Sequence, residues 1–104
     1  MSPPTPSLVF AALGDETRLA LLNKLSQGPR SISQLSHGSP ITRQAVTKHL
    51  RVMEGAGLVR CFRHGRESLF EVDPLPLRQA QDYLSLVSRQ WDEALARLKA
   101  FVED

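Results

Sequence analysis

Cysteine is nearly absent from this chain. Cys61 is the one cysteine in 104 residues, which excludes an intramolecular disulfide and a multi-cysteine zinc site within one chain. A reduced, cytoplasmic setting is the expectation. Long apolar runs are missing too: the longest, Leu8–Leu13, falls far short of the roughly 20 residues a membrane-spanning helix needs. Met1–Ser7 has three prolines and no Lys or Arg, so it does not read as a secretory leader. There is no glycine-rich phosphate loop, no HExxH and no GxSxG. Gly55-Ala56-Gly57 sits at a helix end, and the serines, histidines and acids are not placed as a triad. The expectation is therefore a non-enzyme without a cofactor. What is present, 41% hydrophobic and 23% charged residues, describes one folded domain. A domain this small stays marginal, and a second subunit would help it.

The net charge of +2 hides a split. Arg30, Arg43, Lys48, Arg51, Arg60, Arg63 and Arg66 face a single acid, Glu54, within residues 30–66, so that segment carries +6; six basic and ten acidic residues elsewhere give −4. His37, His49 and His64 all fall inside the basic third. A confined positive block is the footprint of a polyanion-binding face. A solvated basic surface has the same composition, and charge alone does not separate the two.

Local signals divide the chain into helices, a hairpin and a long final helix. Residues 1–7 form a lead-in and 8–104 a single domain. Ser7 is placed to cap a helix over Leu8–Leu13 that Gly14 stops. Asp15 caps the next, with Glu16 in its first turn and Leu19, Leu22 and Leu25 on one face beside Leu21; Gly28-Pro29 ends it. Ser31 or Ser33 caps a short helix around Gln34–His37, and Gly38-Ser39-Pro40 makes a turn. Thr42 caps a helix from Arg43 to about Gly55, with Val46, Leu50 and Met53 inward; Ala56-Gly57 supplies the stop. Leu58–Arg63 and Glu67–Val72 read as two strands joined through His64-Gly65. Cys61 alternates with Val59 on its strand, which predicts a half-buried structural thiol. Asp73-Pro74 closes the hairpin, and Pro76 suits a helix's first turn.

Beyond Pro76 there is no further Gly or Pro. Leu77, Ala80, Leu84, Val87, Trp91, Ala94, Leu98 and Phe101 step by threes and fours, four heptads of a packing seam. A helix over about 75–103 would run about 45 Å, longer than so small a domain can cover. The excess predicts a homodimer, with Leu8, Phe10, Leu84, Val87, Trp91, Leu95, Leu98 and Phe101 at the interface. Trp91 and Tyr83 could also line a ligand pocket, although core and dimer packing explain both.

The order helix, short turn, helix with polar residues at its N-terminal end is that of a helix-turn-helix, here about 33–56. The run Ile41-Thr-Arg-Gln-Ala-Val-Thr-Lys-His-Leu50, continued by Arg51-Val-Met-Glu-Gly-Ala-Gly-Leu-Val59, closely resembles the ArsR (arsenic-repressor-like) family of bacterial winged-helix regulators. Asp15-Glu-Thr-Arg-Leu19 is similar to that family's D-x-T-R-L opening, and Arg63-His-Gly-Arg66 to its wing tip. The likeness spans about Leu8 to Phe101. It implies a mainly α fold with a small β-hairpin: a winged helix-turn-helix with wing 58–72 and a long C-terminal dimerisation helix. It implies further a homodimer on a palindromic operator in double-stranded DNA, and repression relieved by a small-molecule effector that these residues do not identify. Many members sense metals through Cys-x-Cys before the turn or through Asp and His on the last helix. Here Ser33–His37 has no cysteine and Leu75–Asp104 no histidine, so no metal site carries over. Ser39-Pro40 also stands where members often have Leu-Gly.

Gln44, Thr47, Lys48 and Arg51 share a helix face, and major-groove readers need donors and acceptors there. Gln44 suits adenine, Arg43 or Arg51 guanine or phosphate, and Thr42 or Thr47 phosphate or a thymine methyl. Arg63, His64 and Arg66 on the hairpin tip would reach backbone or a minor groove. His49, one step from the apolar face, reads equally as a brace. Two rival functions remain open: a protein-interaction module that no longer reads DNA, and a thiol-based redox sensor using Cys61. The +6 block counts against the first, and only neighbouring Arg60 and Arg63 favour the second.

Overall fold

The computed structural model describes residues 5–103; the rest of the expected lead-in, residues 1–4, and residue 104 lie outside it. Seven elements follow in order: α1 (Pro6–Leu13), α2 (Glu16–Leu25), α3 (Ile32–Ser36), α4 (Arg43–Gly55), β1 (Val59–His64), β2 (Glu67–Val72) and α5 (Pro74–Glu103). The first helix starts two residues earlier than expected. Thr5, not Ser7, is its cap, because Pro6 is pre-set for the first helical position and the Thr5 hydroxyl accepts from the Leu8 amide. Asp15 caps α2, accepting from the Arg18 amide at 3.0 Å. Of the two serines, Ser31 caps α3. It forms a reciprocal capping box in which Gln34 N–H donates to its hydroxyl and its own N–H donates to the Gln34 carboxamide.

The core gathers one face from each element. Leu21, Leu25, Leu35, Val46, Leu50, Met53, Leu58 and Phe70 are its large buried side chains, with Val9, Ala12 and Ala80 beside them. On α2 the buried pair is Leu21 and Leu25, while Leu22 is only partly covered and Leu19 is 48% exposed. The inward face thus lies one step from the Leu19–Leu22–Leu25 stripe. On α4 the Val46–Leu50–Met53 face is buried as expected. That helix ends in a Schellman motif: the Gly57 amide donates to Glu54 O and the Leu58 amide to Met53 O, both at 2.9 Å, with Gly57 at φ +76°. The stop sends Leu58 back into the core and starts the wing.

β1 and β2 pair antiparallel from Val59↔Val72 to His64↔Glu67. The turn is therefore Gly65-Arg66, not His64-Gly65. Only Gly65 has positive φ, +63°, the pattern of a type II′ turn; a type I′ turn would need it at both central residues. A third piece of sheet comes from Arg30, which exchanges two backbone hydrogen bonds with Phe70, at 3.0 and 2.8 Å. That bridge makes β2 the middle strand and β1 the edge. Phe70 is buried for this reason, whereas Cys61, paired with it across the ladder, is exposed. The expectation of a half-buried thiol is corrected accordingly. Asp73 Oδ1 accepts from the Leu75 amide at 3.1 Å, so α5 starts one residue before the expected Leu75, with Pro74 first.

Candidate nucleic-acid interface

α4 lies across the body with its apolar face down and its other face in solvent. Thr42, Arg43, Gln44, Lys48 and Arg51 are exposed and Thr47 is half-buried. The helix itself engages both threonines: the Thr42 hydroxyl accepts from the Ala45 amide at 3.1 Å, and the Thr47 hydroxyl donates to Arg43 O at 2.8 Å. Their methyl groups and remaining lone pairs are what an outside ligand would meet.

The basic block divides into engaged and unengaged cations. Arg30 donates to Pro29 O. Arg51 pairs with Glu54 at 2.7 Å and lies 6.0 Å from the Phe70 ring centroid, within cation–π reach. Arg60 pairs with Glu71, its cross-strand neighbour, at 2.6 Å. The hydrogen bond each guanidinium donates to its acid, and then the acid's charge, raises the pKa of Arg51 and of Arg60 above the ordinary guanidinium value. Arg43, Lys48, Arg63 and Arg66, by contrast, make no side-chain hydrogen bond or ion pair among the described residues. All four are exposed, on the first half of α4 and at the wing tip. Arg51, grouped with them by sequence, would first have to leave Glu54.

Helix and wing meet where α4 begins. Arg43 and Arg66 line one cleft of about 250 Å3, together with Ser31, Ser33, Glu67 and Ser68. Arg63 and His64 stand on the outgoing strand, opposite Ser68 and Glu67, and are exposed. Sequence reasoning found the two arginines but not the serines or Glu67 between them, since nothing local signals that α3 and the returning strand share a wall.

A second omission is Arg18. Its Nε donates to Ala12 O at 2.6 Å and its Nη2 to Ala11 O at 3.2 Å, satisfying carbonyls at the end of α1. Its Nη1 lies 3.4 Å from His49 Nδ1, which is also 3.8 Å from Asp15 Oδ2. His49 is thus a brace between α4 and the start of α2. The Asp15 carboxyl is held below its ordinary pKa, first by the Arg18 amide hydrogen bond and, against some desolvation, by the charges of Arg18 and His49. The Asp and Arg of the D-x-T-R-L motif were the available signal for this junction.

Away from this face, the expected subunit contacts are mostly uncovered. Phe10 and Val87 are half-buried, Phe10 with its ring 6.0 Å from that of Tyr83. Leu8, Leu84, Trp91, Leu95, Leu98 and Phe101 are exposed, Trp91 at 64% and Phe101 at 82%. Among the described residues no helix is long and apolar enough to cross a membrane, and no three His, Cys, Asp or Glu side chains gather as metal ligands would.

Comparison with known proteins places this geometry. Residues 15–60 match the model for bacterial regulatory proteins of the arsR family. The chain is 33% identical over 91 residues to the HTH-type transcriptional regulator Rv2034 of Mycobacterium tuberculosis, covering 88% of this chain and 82% of that one. Among solved structures, an ArsR-like transcriptional regulator from Rhodococcus sp. RHA1 superposes with a TM-score of 0.84 at 35% identity, over 92% of this chain and 91% of the other. A homodimeric winged helix-turn-helix DNA-binding domain from Mycobacterium bovis shares the fold, with a TM-score of 0.64 at 24% identity, over 84% and 78%.

Proposed function

This chain belongs to the ArsR family of bacterial transcription regulators, DNA-binding proteins of winged helix-turn-helix fold, and on that premise we propose that it is a homodimeric, sequence-specific repressor acting on a palindromic operator. The observation that carries the reading is the set of four cations, Arg43, Lys48, Arg63 and Arg66, which find no side-chain partner among the described residues on the α4 face and the wing tip. Phosphates supply the missing counter-charge. Gln44 stands exposed among them, able to donate and accept at one base edge. α4 enters the major groove, with Thr42, Arg43, Gln44, Thr47 and Lys48 nearest the DNA and Arg51 behind them. Arg63, His64 and Arg66 of the wing follow the backbone. Two copies join through α1 and α5, using Leu8, Phe10, Leu84, Val87, Trp91, Leu95, Leu98 and Phe101. The chain acts by occupancy, without making or breaking a bond, in the cytoplasm.

Fluorescence anisotropy with the DNA upstream of the chain's own reading frame, against a scrambled duplex of equal composition, tests this over a salt series. The expected result is preference for the upstream duplex with two chains bound per site. Equal binding to both would remove sequence reading at that site. Gln44→Ala is expected to cost about 1–3 kcal/mol at the base pairs it contacts and little elsewhere. Uniform weakening on every duplex would take Gln44 off the base-reading list.

A further inference from the structure

The cleft joining the turn into α3, the first residue of α4 and the returning strand of the wing has a composition suited to one small anion. Two cations line it from different elements, and neither Arg43 nor Arg66 is paired among the described residues. Glu67 lines it as well, yet makes no ion pair with either arginine. Ser31 is 7% exposed, and its hydroxyl already accepts from the Gln34 amide at 3.1 Å. That leaves the Ser31 proton to donate. Ser33 and Ser68 add two exposed hydroxyls. Two guanidinia and three hydroxyls form a donor set for a phosphate oxyanion. The volume, about 250 Å3, holds such a group with a few waters, each water taking about 30 Å3 in the liquid.

We propose that this cleft seats a single backbone phosphodiester of the bound duplex, with Arg43 and Arg66 closing on the same phosphate. Ser31, Ser33 and Ser68 donate to it, and Glu67 opposes it. The inference rests on the DNA-binding reading above and adds the shared seat and the opposing acid. It separates this cleft from base recognition, because a phosphate carries no sequence information. It also assigns Glu67 a function: a carboxylate beside a phosphate weakens every complex, which keeps binding to unrelated DNA low.

The test uses the full chain and a fluorescein-labelled duplex of mixed sequence, about three helical turns long, in anisotropy titrations over a salt series. Arg43→Gln and Arg66→Gln each weaken binding. Because they share one phosphate, the double variant is expected to lose about 0.9 from the slope of log K against log salt. A loss of about 1.8, adding from the two singles, would mean two separate phosphates and overturn the seat. Glu67→Gln is expected to tighten binding roughly three- to tenfold, and to have no such effect in the double-variant background. Unchanged binding by Glu67→Gln would remove the acid from the phosphate's surroundings. Ser33→Ala and Ser68→Ala are expected to lower affinity severalfold with the salt slope unchanged, since a neutral donor releases no counterion.

A parallel titration replaces chloride with inorganic phosphate at equal ionic strength. If phosphate competes only through the two arginines while the double variant keeps wild-type DNA affinity and slope, the cleft takes free phosphate and the duplex assignment falls. Wild-type protein that binds no duplex at low salt would overturn the regulator reading itself, a result distinct from wild-type binding with additive losses. The substituted side chains are on the surface, and unchanged circular dichroism and melting of each variant verify that only binding is altered.

Discussion

Arg18 fastens two helices with one guanidinium. The carbonyls it reaches, Ala11 and Ala12, lie in the last turn of α1, where a helix runs short of backbone donors, and its third nitrogen lies against His49 of α4. Arg18→Ala is expected to cost about 1.5–3 kcal/mol in urea unfolding, the range for hydrogen bonds that involve a charged group. Arg18→Lys should recover little of it, because an ammonium lacks the planar fork. Asp15 adds a pH dependence. Its carboxyl is held low chiefly by the Arg18 amide, so its contribution to stability is fully present above the unfolded value of about 3.9. That contribution is lost as pH falls through the lower native value. Melting temperatures from pH 7 to 3 should fall less steeply at the acid end for Asp15→Asn, which keeps an oxygen to cap the helix but no charge. Asp15 was readable in the sequence because a cap is a contact three residues long. Arg18 was not, since its partners depend on how α1 meets α2.

The wing shows how far an element can be read from its residues alone. Alternation and a glycine located two strands within a residue of their true ends, but not which strand would be covered. That depends on Arg30, whose bridge to Phe70 comes from a segment some forty positions away. Cys61 is exposed and Phe70 buried for the same cause. α2 carried a similar ambiguity: with four leucines in seven residues several stripes fit a helix, and packing against α4 and β2 selected Leu21 and Leu25. α4 had one apolar stripe and no such freedom. The turn gives a test of its own. A Cβ on Gly65 would meet nothing within 4 Å, so Gly65→Ala reports only the backbone cost of φ +63°, about 1–3 kcal/mol. Hydrogen exchange across β1 and β2 should quicken accordingly, with α4 amides unaffected.

Taken whole, the chain is drawn out. Its Cα radius of gyration is 18.2 Å, against about 13 Å for a compact domain of this length. Its accessible surface is 7631 Å2, roughly 1,800 Å2 more than a typical monomer of the same mass presents. A thirty-residue α5 adds to both, and its distal half carries Trp91, Leu95, Leu98, Phe101 and Val102, all exposed. The heptad spacing had foretold this surface, because a helix of thirty residues outruns a hundred-residue body whatever the details of packing. A surplus of that size on each of two chains falls within the range of obligate homodimer interfaces. Leu98→Glu is expected to shift the mass in sedimentation equilibrium from two chains to one and to weaken DNA binding by loss of the second reading helix.

The same apolar ladder ties folding to abundance. In the proposed homodimer a second copy covers this ladder, so the native state would be favoured by mass action and its melting temperature is expected to rise with protein concentration. A chain diluted below its self-association constant loses its partner and part of its stability together. Lone copies are then the ones that open and meet proteases. The rate of synthesis therefore sets not only how many regulators exist but what fraction of them persist.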